Sequence, residues 1–214
     1  MRVAIVGGPG IGKSTLVRQL GDLYHNGAYG EGEEGVWDRR VLEDIEAGRN
    51  PVGVTAYFGA LYDANYQDAA DHDASGKVIF FEGARITLEA HIAEYPAESR
   101  DELRRVLAIG DSWNPDRVIV LTSSTDTIEK HLRLRHRPFE NAERLVSRFR
   151  LIDAEFRRLA PMYPNTVVID RDHKEFHDRT GLLDIIHAAG LPLFREIPYR
   201  RLERFEASAS TREP

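Results

Sequence analysis

The chain has no cysteine, and that one absence excludes disulfide frameworks, thiolate nucleophiles and zinc–thiolate centres. It has no apolar run near the length of a membrane span, so no helical membrane segment is expected. A basic surplus is lacking too. At a formal net charge of −6 the chain has no overall field to draw nucleic acid, and a nucleic-acid partner is not the expectation. Internal repeats and low-complexity tracts do not occur, nor does the N-K-x-D sequence that would read guanine in a GTPase switch. Residues 1–6 already read as a strand, from which we expect no signal peptide and a cytoplasmic address. What remains is a length of 214 residues that suits one α/β domain over 1–190, followed by a partly disordered C-terminal extension over 191–214.

The stretch Gly7-Gly8-Pro9-Gly10-Ile11-Gly12-Lys13-Ser14 fits G-x-x-x-x-G-K-S/T at every fixed position. Val3-Ala4-Ile5-Val6 before it is short and mostly β-branched, as a strand of a buried parallel sheet should be. Ser14 to Leu20 after it has helical apolar spacing. Strand, loop and helix thus come in the order a phosphate cradle requires. Glycines let successive N–H groups turn inward, and the helix adds its positive N-terminal end. Gly8, Gly10, Ile11, Gly12, Lys13, Ser14 and Thr15 are the candidates for this nucleotide-binding shell. Lys13 would reach the β- and γ-phosphates, and Ser14 would hold a magnesium ion bridging them.

After the first helix, residues 25–35 are rich in glycine and acid and read as loop, with any second strand confined to Ala28-Tyr29. Helical spacing returns over Val36–Ala47 with Gly48 as its stop, and Asn50-Pro51 reads as a break. Val54–Ala70 carries Tyr57, Phe58, Leu61, Tyr62 and Tyr66, an aromatic stripe read as core. Val78-Ile79-Phe80-Phe81 is an apolar strand ending in Glu82. Ligands of open α/β sheets collect at the carboxyl ends of strands, so Glu82-Gly83-Ala84-Arg85 is expected beside the phosphate loop. Helices near Thr87–Tyr95 and Arg100–Ala108, a strand Val118–Leu121 and a helix from Asp126 follow. A helix over Ala142–Leu159, a strand Thr166–Ile169 and a helix over Leu182–Ala189 complete five strand candidates.

Charge is lopsided along this path. Twelve acids face Arg39, Arg40 and Arg49 between Asp22 and Gly76, whereas eight arginines face four acids between Arg133 and Arg158. Arg133, Arg135 and Arg137 alternate where Pro138 breaks the helix. Guanidinium groups bind phosphate bidentately and keep their charge, so this segment is a reasonable clamp for charge on a transferring phosphate.

Together these residues resemble the P-loop nucleoside and nucleotide kinases, in particular the deoxynucleoside and thymidylate kinases. The resemblance covers about residues 1–190. It rests on the phosphate loop, on Glu82 after the third strand, and on Asn114–Leu121 leading through a helix to Arg137-Pro138-Phe139-Glu140. It implies a three-layer α/β fold: a five-stranded parallel sheet with helices on both faces, and an arginine-rich lid over about 133–140. It also implies ATP as donor with magnesium. Carried onto this chain, Gly12, Lys13 and Ser14 hold phosphates and magnesium, Glu82 is a second candidate for the metal, and Arg133, Arg135 and Arg137 act from the lid. The pattern departs in three places. Glu82 is followed by Gly83 and Ala84 rather than arginine, so that Arg85 is displaced. The nearest match to a Glu-Pro-Val run is Glu34-Gly35-Val36, and Phe58 is followed by Gly59 where many members have glutamine.

Either Glu34 or Glu82 is a candidate for the carboxylate that takes a proton from an acceptor hydroxyl. The leading expectation is transfer of the ATP γ-phosphoryl group to the 5′-hydroxyl of a (deoxy)nucleoside, because a phosphorylated acceptor would have to enter the acidic front half. One alternative is a nucleoside monophosphate kinase, or a relative acting on a modified nucleotide or a DNA hydroxyl, with Arg39, Arg40 and Arg85 as the acceptor cations. Another is a nucleotide-binding module without turnover. A homodimer is left open.

Overall fold

The computed structural model describes residues 1–25, 27–31, 38–72, 77–107, 114–135, 142–172, 176 and 179–192. Its strands are β1 (Arg2–Gly7), β2 (Ala28–Tyr29), β3 (Ile79–Glu82), β4 (Arg117–Thr122) and β5 (Thr166–Asp170). Its helices are α1 (Lys13–Tyr24), α2 (Arg39–Ala47), α3 (Pro51–His72), α4 (Arg85–Ile92), α5 (Ala97–Leu107), α6 (Thr125–Arg135), α7 (Ala142–Leu159) and α8 (Arg179–Ala188). The strands form one sheet in the order β2-β3-β1-β4-β5. Every pairing is parallel, so each strand needs a crossover that returns the chain to the same end of the sheet.

Burial on both faces explains why the inner strands are continuous apolar runs rather than alternating ones. Val3, Ile5, Ile119 and Leu121 join a core with Leu16, Val17 and Leu20 of α1 and Leu182, Ile185 and Ile186 of α8. Their neighbours Ala4, Val6, Val118 and Val120 point the other way, onto Ile152 and Phe156 of α7 and Ile86 and Ala90 of α4. The expected three-layer P-loop kinase fold, a five-stranded parallel sheet with helices on both faces, is present.

Helix boundaries follow local hydrogen bonding. The Asp38 side chain accepts from Arg40 N at 2.8 Å and opens α2 at Arg39, and Gly48 closes it with a φ of 63°. The expected start at Val36 lies outside the described residues. Asn50-Pro51, read above as a break, does separate α2 from α3 and also starts the latter. Asn50 Oδ1 accepts from Gly53 N at 3.2 Å, and Pro51 takes the first helical position, where a missing N–H costs nothing. Apolar spacing alone put this start at Val54 because caps carry no periodicity.

The edge strand β2 is two residues long and does not hold its place by backbone pairing alone. The Tyr29 ring stacks on Phe81 of β3 at 5.3 Å, and Tyr66 of α3 stacks on the same Phe81 at 4.1 Å. Tyr29 Oη donates to Asp68 at 2.7 Å and Asn65 Nδ2 to the Gly30 carbonyl at 3.3 Å, so α3 grips the strand from its outer side. The aromatic stripe of α3 is core at Tyr62 and Tyr66, as expected, and half-exposed at Tyr57 and Phe58.

Across α4 and α7 runs a half-buried ion cluster. Arg148 Nη2 donates to Glu94 Oε2 at 3.0 Å with a second, closer contact between Arg148 Nε and Glu94 Oε1, and His91 Nδ1 lies 2.6 Å from Glu94 Oε2. Burial pushes the Glu94 carboxyl upward, but His91 and Arg148 outweigh it and hold the group at about 2, from an ordinary 4.5. The stabilisation from a depressed carboxyl is full above its unfolded value and is lost as pH falls through the folded one. Replacing Arg148 with Ala strands a mostly buried carboxylate and should cost about 2 kcal/mol after discounting for partial exposure. In a chain of this size that is a fall in Tm of about 4–8 °C at neutral pH. The difference from wild type should shrink as pH is lowered from 4.5 towards about 2, read by thermal unfolding followed by circular dichroism.

Candidate active site

Parallel register sets the centre of the site. Ile5 of β1 pairs with Glu82 of β3, and Gly83 N donates to the Ile5 carbonyl at 3.2 Å, so Glu82 ends its strand beside the segment that runs into the phosphate loop. The loop itself leaves β1 at Gly7 and enters α1 at Lys13. Gly10 adopts a φ of 77°, and a Cβ there would lie 2.8 Å from Leu132 Cδ2, so both conformation and space demand glycine. That contact also sets the last turns of α6 against the loop.

Three side chains meet at Glu82. Ser14 Oγ donates to Glu82 Oε1 at 2.8 Å, and Lys13 Nζ stands 3.9 Å from the same oxygen and 3.5 Å from the Gly8 carbonyl. Glu82 is only 6% exposed, and burial first, then the nearby charge of Glu31, raise its carboxyl above the ordinary 4.5, while Lys13 and the Ser14 hydroxyl pull it back. The Glu31 backbone N–H also donates to this carboxylate. Ser14 and Glu82 supply adjacent hard oxygen donors beside the loop, which suits magnesium, an ion commonly held by one or two protein oxygens with phosphates and waters completing its shell.

Two residues that sequence reasoning passed over shape the site. Arg171, just after β5, donates from Nη1 to the Ile11 carbonyl at 2.5 Å, and its guanidinium lies 4.6 Å over the Phe176 ring. Carbonyl and N–H point opposite ways across a trans peptide, so a carbonyl held toward Arg171 turns the Gly12 N–H away from it. Nearby, Ser123 Oγ donates to Asp172 Oδ1 at 2.5 Å and Ser124 N to the same atom at 2.8 Å, fastening the ends of β4 and β5 together. Glu31 is the second residue. It lies two residues after the end of β2 and accepts from Tyr62 Oη at 2.5 Å. Its signal was present as the first acid after Ala28-Tyr29, but a match to Glu34-Gly35-Val36 drew attention further along the chain.

The remaining candidates divide. Gly8, Gly10, Ile11, Gly12, Lys13, Ser14 and Thr15 all fall in the loop or the first turn of α1. Arg85 opens α4 with Nε 3.0 Å from Glu89 Oε1, and both side chains reach Tyr163. Arg133 is exposed near the end of α6, with Nη2 2.6 Å from Glu129 Oε1. Only the backbone of Arg135 is described, and Glu34, Arg137 and the rest of the expected lid lie outside the described residues. Arg39 is 91% exposed and pairs with Glu43, so among the described residues Arg39 and Arg85 bind separate acids rather than one another's neighbourhood.

The all-parallel five-stranded sheet flanked by helices is the P-loop kinase fold, and solved structures share it. A deoxyadenosine kinase from M. mycoides, with products dCMP and a flexible dCDP bound, aligns at a TM-score of 0.66 and 16% identity over 87% of this chain and 97% of that one. Thymidylate kinase from Candida albicans aligns at 0.66 and 15% identity over 87% and 90%. A NadR protein in complex with NR aligns at 0.56 and 18% identity, covering 91% of this chain and 53% of that one. No family model matches the chain, and no curated protein does. At these identities the likeness is one of fold.

The raised Glu82 carboxyl yields a signed expectation. A buried acid whose folded value lies above the ordinary one gains protein stability as pH falls through it and loses stability as pH rises, so at neutral pH its charge is a burden on the ligand-free protein. Glu82→Gln should raise the ligand-free Tm. It should also remove the further rise that magnesium and ATP give the wild type; differential scanning fluorimetry with and without each ligand measures both.

Proposed function

We propose that this chain is a phosphotransferase that moves the γ-phosphoryl group of ATP to the 5′-hydroxyl of a nucleoside or deoxynucleoside. The carrying observation is a second carboxylate, Glu31, one strand away from the Lys13–Ser14–Glu82 group and linked to it through its own backbone N–H. A site that only held nucleotide would need the first group alone. In this reading the loop N–H groups and Lys13 bind the donor phosphates, and Ser14 with Glu82 holds magnesium, which supplies charge neutralisation to the transferring group. Glu31 orients the acceptor hydroxyl and takes its proton as the new oxygen–phosphorus bond forms and the bond to the departing diphosphate breaks. Leu132 against Gly10 brings the start of the arginine segment to the loop, and Arg133, Arg135 and Arg137 are proposed to close over the donor. Arg85 stays a candidate for the acceptor side only if it leaves Glu89.

A nucleoside is favoured over a monophosphate on electrostatic grounds. Glu31 and Glu82 stand on the acceptor side of the loop, and a phosphate at about 4 Å from one carboxylate costs about 4 kcal/mol at an effective dielectric near about 20. Offsetting this would take a gathered set of cations, whereas Arg39 and Arg85 are each occupied by their own acid. The thymidylate kinase likeness keeps monophosphates in the test. Adenosine, cytidine, guanosine, uridine, thymidine, their deoxy forms, their 5′-monophosphates and a single-stranded oligonucleotide should be screened with ATP and magnesium for ADP release. We expect the highest kcat/KM on an unphosphorylated nucleoside, and a fall of at least about hundredfold in Lys13→Ala with the fold retained by circular dichroism. Preference for a monophosphate, or undiminished turnover in Lys13→Ala, would reject this assignment.

A further inference from the structure

We infer that Tyr62 is a positioning residue for the acceptor: a buried hydrogen bond from its hydroxyl aims the Glu31 carboxylate, and Gly83 is glycine so that this hydroxyl has room. The inference rests on the function proposed above. Tyr62 is 1% exposed, on the inner face of α3. Its hydroxyl donates to Glu31 Oε1 at 2.5 Å. Burial and the charges of Glu31 and Glu82 drive the phenol well above its ordinary value, so it remains a donor.

Gly83 is shaped to this hydroxyl. Its φ is +95°, and a Cβ there would fall 2.4 Å from Tyr62 Cζ and 2.5 Å from Tyr62 Oη. No side chain of any kind fits between Glu82 and the tyrosine hydroxyl. Glu31 otherwise sits just past a strand of two residues, an anchor too short to fix a carboxylate by backbone pairing. The Tyr62 hydroxyl supplies the missing fixed point, and as a neutral donor it adds no cation that would attract a phosphorylated acceptor. Lys13 on α1 and Glu82 on β3 are the charged groups that share this neighbourhood.

The test takes the nucleoside with the highest kcat/KM in the screen and compares Tyr62→Phe, Gly83→Ala and Glu31→Gln with wild type. Loss of one hydrogen bond to a charged group should lower kcat about ten- to hundredfold in Tyr62→Phe, which keeps the ring and its packing. The KM for ATP should stay within about twofold, since the donor loop is untouched. Gly83→Ala, whose Cβ would displace the Tyr62 hydroxyl, should fall in the same direction, which keeps the inference falsifiable should Tyr62→Phe fold poorly. A kcat for Tyr62→Phe within about twofold of wild type, with Glu31→Gln inactive, overturns the inference and leaves the proposed function standing. Equal losses in kcat, ATP KM and Tm mark a purely structural tyrosine and overturn it as well. Full activity in Glu31→Gln removes the acceptor role of Glu31 and the inference with it, as does a screen without turnover.

Discussion

A carboxylate at the buried end of an inner strand gives up water's support, and Glu82 recovers part of it from the residues at the head of α1 and from the segment after β2. Ser14 donates a hydroxyl, Lys13 stands close by, and the Glu31 backbone adds an N–H. The register that puts Ile5 opposite Glu82 follows from parallel pairing of two apolar runs, so the position of the acid is fixed by packing well away from it. Core and site are one construction here. A slip by one residue would turn Glu82 into the opposite layer and separate it from α1.

On the acceptor side the constraint is aromatic rather than electrostatic. Phe81, next to Glu82, stacks with both Tyr29 and Tyr66, and these contacts hold the short edge strand that precedes Glu31. One turn from Tyr66 along α3, Tyr62 reaches the acid itself. The stripe read as core is therefore core with one polar contact, Tyr62 joining a buried ring to a directed hydroxyl.

Much of the fold was legible because it rests on period and on motif. The runs at Val3–Val6, Val78–Phe81, Val118–Leu121 and Thr166–Ile169 became strands, and even Ala28-Tyr29 did. Gly7 to Ser14 announced the loop through spacing that backbone geometry enforces. Less was legible where position depends on three-dimensional neighbours. Nothing in the order of residues says that Arg171 reaches back to the Ile11 carbonyl, since 160 positions separate them. Glu31 was hidden for a different reason: a two-residue strand has no periodicity to show where it ends, and the acids after it look alike in sequence. Gly83 registered only as a departure from a pattern; its reason is the Tyr62 hydroxyl, a contact between α3 and the end of β3.

An open parallel sheet has two unpaired borders, and each is an invitation for another chain to add a strand. Among the described residues one border is β2, and two residues offer too few N–H and carbonyl groups to template a foreign strand. The other is β5, which runs out into Asp170, Arg171 and Asp172, three charges in a row. The brevity that leaves Glu31 in need of a tyrosine for its aim thus also blunts the sheet against self-association, so lengthening β2 to steady the acid would trade colloidal safety for rigidity.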